Sequence, residues 1–208
     1  MADATIEFSA NGPYVVKGVA DLRNSRRERI PVQESTLYLC RCGGSQSKPF
    51  CDGTHKKIGF SGKREKTGPH DGTRDYAGRE ITIHDNRSVC AHTGHCTDHS
   101  PNVFRMKHEP WINLDGDPAS KTVATIKMCP SGALSYSLNR VPQRPEPAAP
   151  GIHVLKDGPY SVTGGPRLRC DPAPLAADHY TLCRCGASKN KPYCDGAHWN
   201  IGFKDDKN

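Results

Sequence analysis

Apolar residues are scarce in this chain. They make up 35% of its 208 residues, against about 45–50% in an ordinary soluble domain on a count that also includes Gly. A single large core is therefore not expected. No stretch approaches the roughly 20 apolar residues of a membrane span. Residues 1–14 carry neither a basic n-region nor an apolar h-region, so no secretory leader is expected. No basic run with interleaved aromatics is present, and no nucleic-acid motif. The formal charge of +7 is thus read as suiting an acidic redox partner rather than nucleic acid. Nucleotide fingerprints, nucleophile motifs and paired-carboxylate signatures are also missing, so intrinsic catalysis is not expected. The chain is read as a cytoplasmic protein, neither an enzyme nor membrane-bound.

Three residue types are plentiful. Gly (20) and Pro (17) imply loops and short strands. Ten Cys in a reducing compartment point to metal rather than disulfides. Nine of them fall into three groups of three, and Cys170 is left over as an inert side chain. Bound metal also substitutes for missing core in small units.

Two of the groups belong to a repeat. CRCGGSQSKPFCDGTH at residues 40–55 returns as CRCGASKNKPYCDGAH at 183–198. Both read Cys-x-Cys-x2-Ser-x3-Pro-x-Cys-Asp-Gly-x-His. The ligand candidates are Cys40, Cys42, Cys51 and His55 in the first copy, and Cys183, Cys185, Cys194 and His198 in the second. Three thiols and an imidazole suit either a structural zinc ion or a [2Fe–2S] cluster. The repeat extends to a GPY run before each motif and an IGF run after it. Each copy is expected to form strand, turn, strand, cluster loop and short helix, with strands at 36–40 and 180–183. Asp52 and Asp195 are expected to cap the helices. Lys48 and Lys191 are read as solvated surface residues, with a contact to the cluster as the alternative.

The third group is Cys90, Cys96 and Cys129. Cys129 is followed by Pro, as a distant ligand often is in bacterial ferredoxins. Cys90 and Cys96 are spaced as two Cys-x2-Cys steps with Thr93 in the middle place. Three thiolates suit a [3Fe–4S] cluster, or a [4Fe–4S] cluster with another ligand on its fourth iron. His92, His95 and His99 are read as ordinary surface histidines, with His92 the choice if one of them ligates. A strand is expected at REITIHD, a helix over 118–128 with Asp117 as cap and Pro118 first, and a closing strand over 133–138. Segments 61–74 and 141–151 are read as linkers.

Both repeats resemble the CDGSH iron–sulfur domain family. That resemblance implies a [2Fe–2S] cluster at each site, with two Cys on one iron and Cys plus His on the other. It also implies that the two copies make an internal pseudo-dimer. The middle unit, with CAHTGHC, Val103-Phe104, Pro110-Trp111-Ile112 and CPSGAL, resembles the divergent mono-cluster ferredoxin domain. The expected fold class is α+β. Two small β-rich CDGSH units, residues 1–65 and 150–208, would flank a ferredoxin-like unit at 73–140. The expected function is electron transfer through two [2Fe–2S] clusters and one [3Fe–4S] or [4Fe–4S] cluster. Cluster delivery or redox and pH sensing is the alternative. The partner would be a redox protein or reductase, and the chain a monomer.

Overall fold

The computed structural model describes residues 4–65, 72–144, 146–171, 173–206 and 208. The first repeat holds β1 (Thr5–Phe8), β2 (Tyr14–Lys17), β3 (Asp21–Arg23), β4 (Thr36–Leu39) and α1 (Thr54–Lys57). The middle unit holds β5 (Thr73–Ala77), β6 (Ile81–Asn86), α2 (His95–His99), α3 (Ala119–Lys127), β7 (Leu134–Leu138) and β8 (Val141–Pro142). The second repeat holds β9 (Gly151–Val154), β10 (Tyr160–Thr163), β11 (Arg167–Leu168), β12 (His179–Leu182) and α4 (Ala197–Asn200). The chain is thus α+β, with small sheets, few helices, and repeats flanking a central unit.

Each repeat builds an antiparallel sheet and receives its outer strand from the other repeat. The first sheet runs β11-β1-β2-β4, and β11 joins β1 in parallel, placing Ile6 opposite Leu168. The second runs β12-β10-β9-β3, and β3 joins β9 in parallel, placing Leu22 opposite Ile152. In β2 the side chains alternate, with Tyr14 and Val16 inward and Lys17 exposed. This pattern fixes which face meets the core. The core draws on both repeats: Ile6, Val16 and Leu22 pack in one cluster with Ile152, Val154 and Val162. Three or four short strands per repeat bury too little surface to stand alone, and sharing one core resolves that shortage.

At its centre the rings of Tyr14 and Tyr160 meet edge to face, 6.1 Å apart. Each hydroxyl reaches into the opposite repeat. Tyr14 donates to the carbonyls of Cys183 and Pro192, both at 2.9 Å. Tyr160 donates to those of Cys40 and Pro49 at 2.9 and 3.0 Å. The tyrosine of each GPY run thereby holds the other repeat's ligand loop.

The middle sheet is β5-β6-β7-β8, antiparallel throughout. Its own core contains Ile83, Val103, Phe104, Ile112 and Ile126. Both segments read as linkers contribute strand: β5 begins inside 61–74 and β8 inside 141–151. Residues 66–71 of the first segment lie outside the described residues. Just before them Glu65 N–H donates to Lys189 O at 2.9 Å, so the chain has already crossed to the second repeat. Helix α3 starts one residue later than expected, with Pro118 as its N-cap. Asp117 instead accepts from Lys121 Nζ at 2.9 Å, which draws its carboxyl below the ordinary value. Among the described residues no helix is long and apolar enough to cross a membrane.

Candidate metal centres

In each repeat the four candidate ligands stand as two close pairs. Cys40 and Cys42 Sγ are 3.8 Å apart, and Cys51 Sγ lies 3.3 Å from His55 Nδ1. In the second repeat Cys183 and Cys185 Sγ are 3.9 Å apart, and Cys194 Sγ lies 3.5 Å from His198 Nδ1. Two thiolates at tetrahedral corners about 2.3 Å from one metal are ~3.8 Å apart, and a thiolate with an imidazole ~3.5 Å. Each pair therefore has the span to share one tetrahedral metal. Among the described residues no three His, Cys, Asp or Glu gather as ligands of a single ion.

The loops that carry the pairs are braced alike. Ser45 Oγ donates to Phe50 O and accepts from Ser47 N–H. Ser188 does the same with Tyr193 and Asn190. Lys48 and Lys191 are loop braces rather than solvated side chains, since their Nζ donate to Ser45 O and Ser188 O at 2.7 and 2.6 Å. Asp52 and Asp195 are not the N-caps themselves. That position belongs to Gly53 and Gly196, in the left-handed region with φ of 85° and 83°. Each Asp accepts from the first helical N–H with one oxygen and from the ligand loop, at Gln46 N–H or Lys189 N–H, with the other. The Thr54 hydroxyl, with these main-chain N–H groups, holds the Asp52 carboxyl far below its usual range. Main-chain N–H groups also face the thiols, from Gly44 to Cys42 and from Gly53 to Cys51. Such donors favour the thiolate form.

Arg41 and Arg184 lie between the paired thiols and are both buried. Arg41 stacks 4.3 Å above the Phe8 ring and donates to Ser9 O and Gly62 O. Arg184 donates to Gly158 O and Leu155 O and forms a buried ion pair with Asp205. The two loops touch back to back. A Cβ on Gly43 would fall 2.5 Å from Cys185 O, and one on Gly186 2.5 Å from Cys42 O. Only glycine permits that approach.

The repeats differ in exposure. Cys51 and His55 are partly exposed, whereas Cys194 and His198 are 2% and 5% exposed. Burial pushes the Cys194 thiol well up and lowers His198. In the same site the hydrogen bond between Cys183 and Cys185, then burial, raises the Cys183 thiol, and the same bond lowers Cys185.

In the middle unit the three thiols come within electrostatic reach of one another. Burial, then Cys90 and Cys129, push Cys96 up to about 11. Burial likewise raises Cys90. Cys96 is the second residue of α2 behind left-handed Gly94, the place His55 holds behind Gly53. Cys129 follows α3 against the core. His92 is turned elsewhere. Its main-chain N–H serves Cys90, its carbonyl accepts from Trp199 Nε1 at 2.9 Å, and its ring fills the space where Gly196 would carry a Cβ. Through its carbonyl and its ring His92 meets the second repeat. His99 Nδ1 bonds to His95 O. Cys170 packs against the shared core with its Sγ 3.2 Å from the Tyr193 hydroxyl. The contacts of His92, Asn190, Trp199 and the two tyrosines were not assigned from sequence, although Tyr14 and Tyr160 sit in the recurring GPY.

The chain matches the family described as "Iron-binding zinc finger CDGSH type" over residues 11–56 and 157–199. Between them, residues 76–139 match "Divergent 4Fe-4S mono-cluster". "Uncharacterized protein YjdI" of Escherichia coli (strain K12) is 38% identical over 65 residues, covering 31% of this chain and 86% of that protein. Its counterpart in Escherichia coli O157:H7 gives the same figures. No solved structure matches. With its paired Cys and His donors repeated on a shared core, the chain belongs to the CDGSH iron-binding family, carrying two such segments around a divergent mono-cluster iron–sulfur domain.

Proposed function

We propose that this chain is a one-electron carrier with three iron–sulfur centres. Two are [2Fe–2S] centres, each held by three cysteines and one histidine. The third is a [4Fe–4S] or [3Fe–4S] centre held by three cysteines. The observation that carries the reading is the pairing of donors. Four ligands set as two close pairs suit two bridged irons better than one zinc ion. The repeats act as an internal pseudo-dimer, since each completes the other's sheet and holds the other's ligand loop. The middle unit is the ferredoxin-like member.

When bound, such clusters take up and release single electrons without a change in bonding to the protein. The chain's residues supply the rest. Cys40, Cys42, Cys51 and His55 hold the first centre, and Cys183, Cys185, Cys194 and His198 the second. Cys90, Cys96 and Cys129 hold the third. Gly44, Gly53 and Gly196 direct N–H groups at the thiolates, and the Ser, Asp and Lys braces keep the donors at fixed spacing. A loop that barely moves suits electron transfer. A neutral imidazole in place of a thiolate makes the repeat centres less negative, so their potentials stand above that of the all-thiolate middle centre. The proposed partners are redox proteins, with the chain itself monomeric.

The partly exposed Cys51–His55 pair favours a second reading, delivery of the cluster. Stopped-flow reduction by a ferredoxin reductase, set against transfer of iron and sulfide to an apo-acceptor, separates the two. Electron carriage predicts fast reduction with iron and sulfide retained. Slow reduction with stoichiometric transfer to the acceptor overturns it.

A further inference from the structure

The pseudo-symmetry of the two repeats is broken by the middle unit. Asn190 Nδ2 donates to Ser88 O at 2.9 Å, two residues from the ligand Cys90. Trp199 Nε1, beside the ligand His198, donates to His92 O at 2.9 Å. The His92 ring lies on Gly196, where a Cβ would be 2.3 Å from its Cδ2. These three contacts seat the loop of Cys90 on the turn that carries Cys194 and His198.

Among the described residues the first repeat has none of this cover. Ser47 stands where Asn190 does and is exposed, and Lys56 stands where Trp199 does. A Cβ on Gly53 would meet nothing within 4 Å, in contrast to Gly196. Lys56 and Lys57 are exposed beside the partly exposed His55. The two repeats in turn meet through Gly43 and Cys185, and through Gly186 and Cys42, in close backbone contact. Contacts thus run from the Cys90 loop to the Cys194–His198 turn, through the back-to-back loops, to the Cys51–His55 edge.

Building on the electron-carrier reading, we propose that the three ligand sets are stations in a fixed line. The second repeat is an internal station docked to the middle unit by Asn190, Trp199 and His92. The Cys51–His55 edge of the first repeat, flanked by Lys56 and Lys57, is the port for an acidic redox protein. One electron enters from a one-electron donor protein, which is oxidised at the middle unit. One leaves to a one-electron acceptor protein, which is reduced at the port. No bond or proton changes hands.

The test is electron paramagnetic resonance of the fully reduced full-length protein, with a soluble dysprosium chelate as external relaxer. Of the two repeat signals, Cys51→Ala leaves that of the second repeat, and Cys194→Ala that of the first. The second-repeat signal should need several-fold more microwave power for half-saturation than the first, through its coupling to the middle unit. It should respond little to dysprosium, whereas the first-repeat signal should respond strongly. Asn190→Ser with Trp199→Lys installs residues that the first repeat already carries on the same turn. In that variant the second-repeat signal should lose several-fold in half-saturation power and gain dysprosium sensitivity. Equal behaviour of the two signals, or no effect of the double variant, overturns the line. Loss of both signals, in place of a wrong pattern between them, is failure of the cluster assignment itself.

Discussion

Arg41 and Arg184 occupy the same place in the two ligand loops but are neutralised differently. Arg184 has the carboxylate of Asp205, and both side chains are fully buried. Arg41 has carbonyl acceptors and the Phe8 ring, and its Gly62 neighbour leaves no room for a side chain. Breaking one partner of a buried pair leaves an uncompensated charge. Asp205→Ala should therefore cost about 3–5 kcal/mol in chemical denaturation. At the ligands, His55→Cys or His198→Cys should keep [2Fe–2S] absorption but lower the potential of that one centre in a redox titration, because a second negative ligand disfavours the added electron. An unchanged potential in both would mean these histidines are not ligands. Residues at this scale were legible where fixed spacing carries the chemistry, as in the eight repeat donors. Asp205 was not legible, because it lies outside the shared motif and its role depends on where the chain tail folds. The contacts of His92 with Trp199 and Gly196 were not legible for a related reason: sequence says nothing of which way the Cys90 loop turns.

At the scale of elements, the exchanged strands join the repeats. Tyr14→Phe or Tyr160→Phe removes one hydroxyl proton shared between two carbonyls of the opposite ligand loop. At about 0.5–1.5 kcal/mol for the net bond, either change should destabilise by that amount, read as a lower denaturation midpoint. His153 on β9 stands opposite Arg23 of β3. Burial, then Arg27, lowers its pKa in the fold. The unfolded chain then takes up the proton first as pH falls below about 6.5. Stability contributed by neutral His153 is present above that pH and is lost as pH falls toward the folded value. The thermal midpoint of the unaltered protein should drop more between pH 7.5 and 5.5 than that of His153→Gln. An equal drop would remove His153 from the account. The strands beside the motifs, β4 and β12, were readable from β-branched and aromatic content. The crossing strands β3 and β11 were not, being two or three residues long, too short for their alternation to mark them. Strands β5 and β8 hid in polar, Pro-rich segments because they sit at the edges of their sheet.

At the scale of the whole molecule, two repeats share one core and the middle unit leans on one of them. Shared packing was expected from the resemblance to the CDGSH family; the shortage of apolar residues on its own was read as small units held by metal. The side on which the middle unit rests was not readable. Its contacts end on the carbonyls of Ser88 and His92, and a main-chain acceptor has no sequence signature. Gly196→Ala should accordingly cost more than Gly53→Ala in the same denaturation assay. Both meet the left-handed strain of about 1–2 kcal/mol, but only Gly196→Ala must displace the His92 ring.

The central claim is that the three ligand sets hold iron–sulfur clusters. Its most direct measurement is the metal and acid-labile sulfide content of anaerobically purified protein, taken with its electron paramagnetic resonance spectrum. The account predicts about seven or eight irons per chain, two from each repeat and three or four from the middle unit, with sulfide in about equal amount. A colourless protein carrying stoichiometric zinc and no sulfide would contradict it.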